Sequence, residues 1–182
     1  LVGFCLSWVI RLELMSSGSW LGSESLYNMV VTSHAVMMVF FLVMPLFLGA
    51  LGNMLTPLML QMKDMVFPRL NNLSMLMVYL SLGLFCYSMC KEGPQAGWTY
   101  YPPLSSSAFM GDVSMDLSIL SLHLLGISSI FNSLNILSTV IFSVTSNSIK
   151  LEQLSLFIWS LCVTSVLIIF TVPVLAAALG ML

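Results

Sequence analysis

Two histidines, one aspartate and a row of asparagines and serines are the chemistry-bearing residues of a chain that otherwise reads like lipid. His34 lies near the start of VVTSHAVMMVFFLVMP (Val30 to Pro45), and His123 lies in SLHLLG; neither has a charged neighbour for several positions on either side. An ionisable side chain inside a membrane span costs a few kcal/mol even on the lenient insertion scale, so each needs a physical reason. Two reasons are open. A neutral imidazole can give a nitrogen lone pair to a metal, or it can hydrogen-bond a neighbouring helix and do nothing else. A second set comprises Asp64, Asn53, Asn71, Asn72, Ser128, Ser129 and Asn135. Carboxylate and carboxamide groups at an interface can hold water in file, and a water chain carries protons. The same residues also serve routinely as helix caps and interhelical hydrogen-bond partners.

The elements that hold these residues follow from composition. Of 182 residues, 59% are hydrophobic and 7% charged, and the mean hydropathy is +1.04. A soluble domain carries about a quarter charged residues, so this apolar surface must be covered by lipid. The net charge of −2 includes no basic run, which excludes nucleic acid as a partner. Cys5, Cys86, Cys90 and Cys162 all fall in apolar stretches and read as buried packing thiols rather than a disulfide framework. Cys86 and Cys90 share a helix face, but two sulfurs without further ligands are a weak metal signal.

Charges cluster at Arg11/Glu13/Glu24, Lys63/Asp64/Arg69, Lys91/Glu92, Asp112/Asp116 and Lys150/Glu152. The uncharged intervals 25–62, 70–90, 117–149 and 153–182 each exceed the ~20 residues that cross a bilayer. GPQAGWTYYPPLSSS is a loop by its Gly, Pro and Ser content, and Trp98, Tyr100 and Tyr101 suit an interfacial aromatic belt. The expected fold is an all-α, polytopic transmembrane helix bundle, with about four full spans plus the end of a first helix. Its parts are 1–14 (end of helix I), 24–60 (helix II), 68–90 (helix III), the 93–112 aromatic/Pro loop, 113–142 (helix IV) and 155–182 (helix V). Pro45, Gly49, Gly52 and Pro57 predict a kinked or tilted second helix. Lys63, Arg69 and Lys150 on one side, against Arg11 and Lys91 on the other, lean the 61–69 loop toward the inner compartment. Residues 1–10 read as a helix whose first half is absent. No internal repeat is evident, which weighs against a transporter using Asp64 and the Asn/Ser row as an ion path.

Membrane bundles that hold haem present neutral imidazoles from facing helices. A bis-histidine cytochrome places two on one helix, half a membrane apart. This chain has no such pair, so a haem at His34 would need a second histidine from elsewhere; whether His34 and His123 meet is open.

TSHAVMMVFFLVMP, GALGNMLTPLM, DMVFPRLNNLS, GWTYYPPLS, MDLSILSLHLLGISSIFNSLN and VPVLAA occur in that order. Together they resemble the amino-terminal part of subunit I of the haem–copper oxidases, and GALGN with the Arg of FPRLNN leans toward the mitochondrial cytochrome c oxidase branch. The resemblance implies that His34 ligates the iron of low-spin haem a and that Arg11 donates to that haem's formyl group. It sets Ser7 and Tyr27 beside the same haem, on a second proton route, and Trp98 near a propionate of haem a3. Asp64 would form the mouth of a proton pathway lined by Asn53, Asn71, Ser128, Ser129 and Asn135. Glu13 and the carbonyl of Gly18 would form part of a peripheral Na/Ca site, although Ca²⁺ wants six or more oxygens. The family histidine at His123 is not a metal ligand. The sequence departs from the family where QMK precedes Asp64 in place of Gly-Ala-Pro; Lys63 there would favour an ionised carboxylate.

The resemblance further implies respiratory complex IV in the mitochondrial inner membrane: electron transfer from cytochrome c to oxygen, coupled to proton pumping. Haem a3, copper B and their ligands would lie beyond the fifth helix, in the remainder of subunit I as a separate chain. Other cytochrome c oxidase subunits and membrane lipid would be the remaining partners. The alternative is a haem-free structural membrane subunit or remnant of the complex.

Overall fold

The computed structural model describes residues 1–146 and 151–182. They form an all-helical bundle: α1 (Val2–Glu13), α2 (Glu24–Met59), α3 (Pro68–Cys90), α4 (Ser114–Ser146) and α5 (Leu156–Gly180), with a short 3₁₀ turn at Leu151–Gln153. Helices α2 to α5 are long and apolar enough to cross a membrane. Lys63 and Arg69 lie together in and just after the α2–α3 connection, as expected; Lys150 lies outside the described residues.

Local chemistry sets the helix ends. Pro68 opens α3, where its missing N–H costs nothing. Ser155 caps α5, its Oγ accepting from the Ile158 N–H at 3.4 Å. After α3, Gly93 takes φ +70° and donates its N–H to the Ser88 carbonyl at 3.2 Å, and a Cβ there would fall 2.2 Å from Met29 Cγ. Only glycine satisfies both demands.

Helix α2 is continuous, and its turns widen on both sides of Met44. Residues Met37–Val43 and Pro45–Gly52 adopt π-type turns, and the Met44 N–H reaches five residues back to the Val39 carbonyl at the join. Pro45 has no N–H and its ring crowds the preceding turn; a wider turn relieves that crowding without breaking the span.

Helix α4 is the centre. Half of its most apolar stretch is buried, against about a tenth for α5, which is apolar all round. Against α3 it packs through serines spaced seven apart, Ser74, Ser81 and Ser88 on one helix and Ser114, Ser121 and Ser128 on the other. Ser128 Oγ donates to the Ser74 carbonyl at 2.7 Å and Ser88 Oγ to the Ser114 carbonyl at 2.5 Å, which locks the antiparallel register at both ends. Midway, Ser81 and Ser121 are fully buried and bond back to their own helices. Small residues let helices approach closely where lipid supplies no hydrophobic drive, and a seven-residue spacing keeps the seam in contact.

Two expectations fail. Cys5, Cys86 and Cys90 are exposed and Cys162 half-buried, so these thiols lie mostly on outward faces instead of packing the core. A thiol is small and apolar enough to be as comfortable against lipid as in the interior. Trp98 and Tyr101 face outward as a belt requires, but Tyr100 is buried with Val36, Phe85, Met115 and Leu122. A left-handed backbone (φ +53°) turns Tyr100 inward, and burial pushes its phenol up to about 12.

Ser81→Leu should destabilise the α3–α4 pair by about 1–3 kcal/mol through overpacking, while Ser81→Ala should be near neutral. Thermal unfolding of the assembled complex tests this, and equal midpoints for the two variants would contradict the serine register.

Candidate functional site

Helix α1 crosses α2 at Gly3, which is buried; a Cβ there would stand 2.8 Å from Met38 Sδ. This approach brings the Gly3 carbonyl oxygen to 2.7 Å from Nδ1 of His34. A carbonyl can only accept, so Nδ1 carries a proton, and in the neutral ring Nε2 keeps its lone pair. No described residue hydrogen-bonds Nε2, and the ring is half-buried. The arrangement is the outer-shell geometry that orients a ligating imidazole and raises its basicity. It fits an axial haem ligand on the chemistry of the donor alone.

Gly3, Ser7 and Arg11 follow one another at four-residue spacing on one stripe of α1. Ser7 Oγ donates to the Phe4 carbonyl at 2.7 Å, Arg11 is exposed, and Tyr27 is half-buried two turns before His34. Trp98 is exposed beyond α3. Gly97, its neighbour, donates its N–H to Thr32 Oγ1 at 3.1 Å and so ties that loop to α2 close to His34 in sequence. Glu13 closes the loop after α1, where Oε2 accepts from the Trp20 and Leu21 N–H groups at 3.0 and 2.8 Å. That leaves Oε1 and the exposed Gly18 carbonyl as oxygens for a cation, far short of a Ca²⁺ shell. Among the described residues no three His, Cys, Asp or Glu gather as a metal site.

His123 is held differently. Nδ1 faces the Ile119 carbonyl and Nε2 the Ala176 carbonyl, both at 2.9 Å. A neutral ring donates to one of them at a time and a protonated ring to both. Neither nitrogen is open to a metal, and His123 and His34 do not share a site.

The second constellation lies at the other end of α2. Asn53 Nδ2 donates to Asn71 Oδ1 at 2.7 Å and to Asn132 Oδ1 at 3.0 Å, so carboxamides of α2, α3 and α4 meet directly. They border a mostly apolar cleft of about 400 Å³ that Ser74, Ser128 and Ser129 also line. Beneath them, the segment leading into α3 hangs on α4: Asn135 Oδ1 accepts from the Phe67 N–H at 3.0 Å and Thr139 Oγ1 from the Val66 N–H at 3.2 Å. Asn135 thus caps α3 from across the interface. Asp64 is exposed and accepts from the Met65 N–H at 2.7 Å; a separate hollow of about 420 Å³ opens between it and Phe142. Asn72 faces outward and belongs to neither set.

The family described as "Cytochrome C and Quinol oxidase polypeptide I" matches residues 1–182. The chain belongs to that family. It is 49% identical to cytochrome c oxidase subunit 1 of Pecten maximus over 99% of this chain and 38% of that protein. It is 41% identical to the same subunit of Eremothecium gossypii over all of this chain and 34% of that protein. It therefore spans little more than a third of the oxidase relatives it matches.

Within this chain the sequence reading missed Gly3, Ser74, Asn132 and Thr139. Asn132 and Thr139 were legible in principle: Ser128, Asn132, Asn135 and Thr139 recur at helical spacing on one face of α4. Gly3 carries no such signal, because its contribution is a backbone carbonyl.

In Gly3→Leu the side chain cannot fit against Met38, and His34 Nδ1 should lose its acceptor; Gly3→Ala needs only a shift of the flexible Met38 thioether. The ¹⁵N shift of Nδ1 reads the difference. An unchanged shift in Gly3→Leu would remove the Gly3 carbonyl as the group that fixes the ring.

Proposed function

We propose that this chain forms part of the catalytic subunit I of a cytochrome c oxidase, supplying one axial ligand of haem a and the entrance of a proton pathway. Nδ1–H of His34 bonded to the Gly3 carbonyl is the observation that carries the reading: it explains why an imidazole is kept inside a span and which nitrogen is left to bind iron. Haem a, when bound, accepts and passes on single electrons. His34 would hold its iron, Arg11 would donate to its formyl group, and Ser7 and Tyr27 would border it. Trp98 would stand near a propionate of haem a3. Haem a3, copper B and the second haem a ligand come from the remainder of subunit I, and other subunits and lipid cover the rest. The natural setting is the mitochondrial inner membrane, with cytochrome c as the electron donor to the complex.

On the proton side, Asp64 is the exposed carboxylate that exchanges with water. Asn53, Asn71, Ser128, Ser129 and Asn135 do not ionise at working pH, so their part is to hold and orient water beyond it. A Na or Ca ion at Glu13 and Gly18 would need further oxygens from beyond this chain.

In the assembled complex, His34→Ala should abolish the low-spin haem a band in reduced-minus-oxidised spectra. Persistence of that band at full intensity would favour a haem-free structural role. Asp64→Asn should slow proton uptake about tenfold or more while leaving haem a reduction unchanged. Equal slowing of both, or of neither, would take Asp64 out of the pathway.

A further inference from the structure

Helix α5 is the least buried of the spans and the most apolar, so little fastens it to α4. Between helices in hydrocarbon the hydrophobic effect supplies no drive. The two helices pack in antiparallel register. At one end of their seam His123 Nε2 stands 2.9 Å from the Ala176 carbonyl, and a Cβ on Gly126 would fall 2.9 Å from Val172 Cγ1. At the other end Ile136 and Leu161 share one buried cluster, and Val140 and Ile158 another. Seven residues on from Gly126 stands Ser133, and seven back from Val172 stands Ser165. One turn from Ile136 and one from Leu161 reach the same two residues. The register therefore sets these serines opposite each other in the middle of the seam. Both are 0% exposed, and neither Oγ has a hydrogen-bond partner among the described residues. Ser129, Ser160 and Thr164, by contrast, each bond a carbonyl of their own helix. Ser165 meets competition for the carbonyl four residues back, because Leu161 O already accepts from Thr164 Oγ1 at 3.0 Å.

We propose that Ser133 and Ser165 together form a binding site for one water molecule, which bridges α4 to α5 in the middle of the membrane. A buried hydroxyl without a partner is penalised, and two facing each other double the penalty. One water between them removes both penalties, since a hydroxyl can donate or accept and a bridging water binds nearly as well as a direct partner. Two polar partners suffice to retain a buried water. The choice of ligand follows from charge. No charged side chain lies on α4 after Asp116 or anywhere on α5, so the pair takes a neutral donor–acceptor of this size and not an ion. The bridge gives α5 a polar fastening at mid-seam, between the His123 contact at one end and the apolar clusters at the other. It serves the seating of α5 and takes no part in the haem or proton chemistry proposed above.

The test is a double-mutant cycle in the assembled complex, read by thermal unfolding at one scan rate. Ser133→Ala strands the Ser165 hydroxyl and Ser165→Ala strands that of Ser133, so each should lower the midpoint by about 2 °C or more. The double variant leaves no hydroxyl to satisfy, and its midpoint should return close to wild type. Hydroxyls that stand dry and independent give the opposite sign: each single substitution removes a penalty and raises the midpoint. Hydroxyls that turn back to their own helices give no shift. Either result overturns the bridge, and so do two losses that simply add. A density map of the unaltered complex separates a water from a direct contact, and it decides the matter if the variants fail to assemble. A peak within hydrogen-bond distance of both Oγ atoms is expected. Oγ atoms bonded to each other, or to backbone carbonyls with no peak between them, would overturn the site.

Discussion

The hydrogen bond between His34 and the Gly3 carbonyl is the interaction on which the rest depends. It spans two helices, and its acceptor is a backbone oxygen that no side-chain substitution can remove directly. Only the close approach permitted by glycine brings that oxygen within reach. The bond decides the tautomer, and the tautomer decides which nitrogen faces outward with a lone pair. In hydrocarbon, a half-buried imidazole left with a bare N–H would be costly. Tied to Gly3 it is half satisfied, and a metal on Nε2 would complete it. One contact therefore accounts both for the retention of a titratable ring in a span and for the packing of α1 on α2.

The polar residues of α4 show how one set of groups serves fold and chemistry. Near the 93–112 loop the hydroxyls of Ser81, Ser88, Ser118 and Ser121 each bond their own helix or the facing one, and the result is a tight, fixed register. Toward Asp64 the accounting changes. Asn53 Oδ1, the Asn135 amide and the Thr56 hydroxyl are buried without partners. Unpaired groups of this kind cost of order 1–3 kcal/mol each when left dry, and Tyr100 Oη and Ser105 Oγ in the 93–112 loop share that condition.

Much of the fold was legible in the sequence because lipid is an exacting solvent. It admits helices of a given length, and sparse charges such as Lys63, Asp64 and Arg69 mark where they end. His34 and Asn53 stood out for the same reason, as polar groups that hydrocarbon penalises. What stayed hidden was whatever depends on backbone or on fine register. Gly3 offers a carbonyl, which every residue has. Tyr100 and Tyr101 are identical in type and opposite in direction, because a left-handed backbone turns one of them inward. The cysteines face outward, since a thiol pays little to sit against either lipid or protein. Asn132 was overlooked although it shares a face of α4 with Ser128 and Asn135; only the converging helices reveal that its partner lies on α2.

The most direct test of the central claim is a density map of the intact oxidase assembly in the region of His34. The account predicts unbroken density from Nε2 to an iron atom, with the Gly3 carbonyl still on Nδ1. A ring turned toward lipid or toward another side chain, with no metal at Nε2, would contradict it.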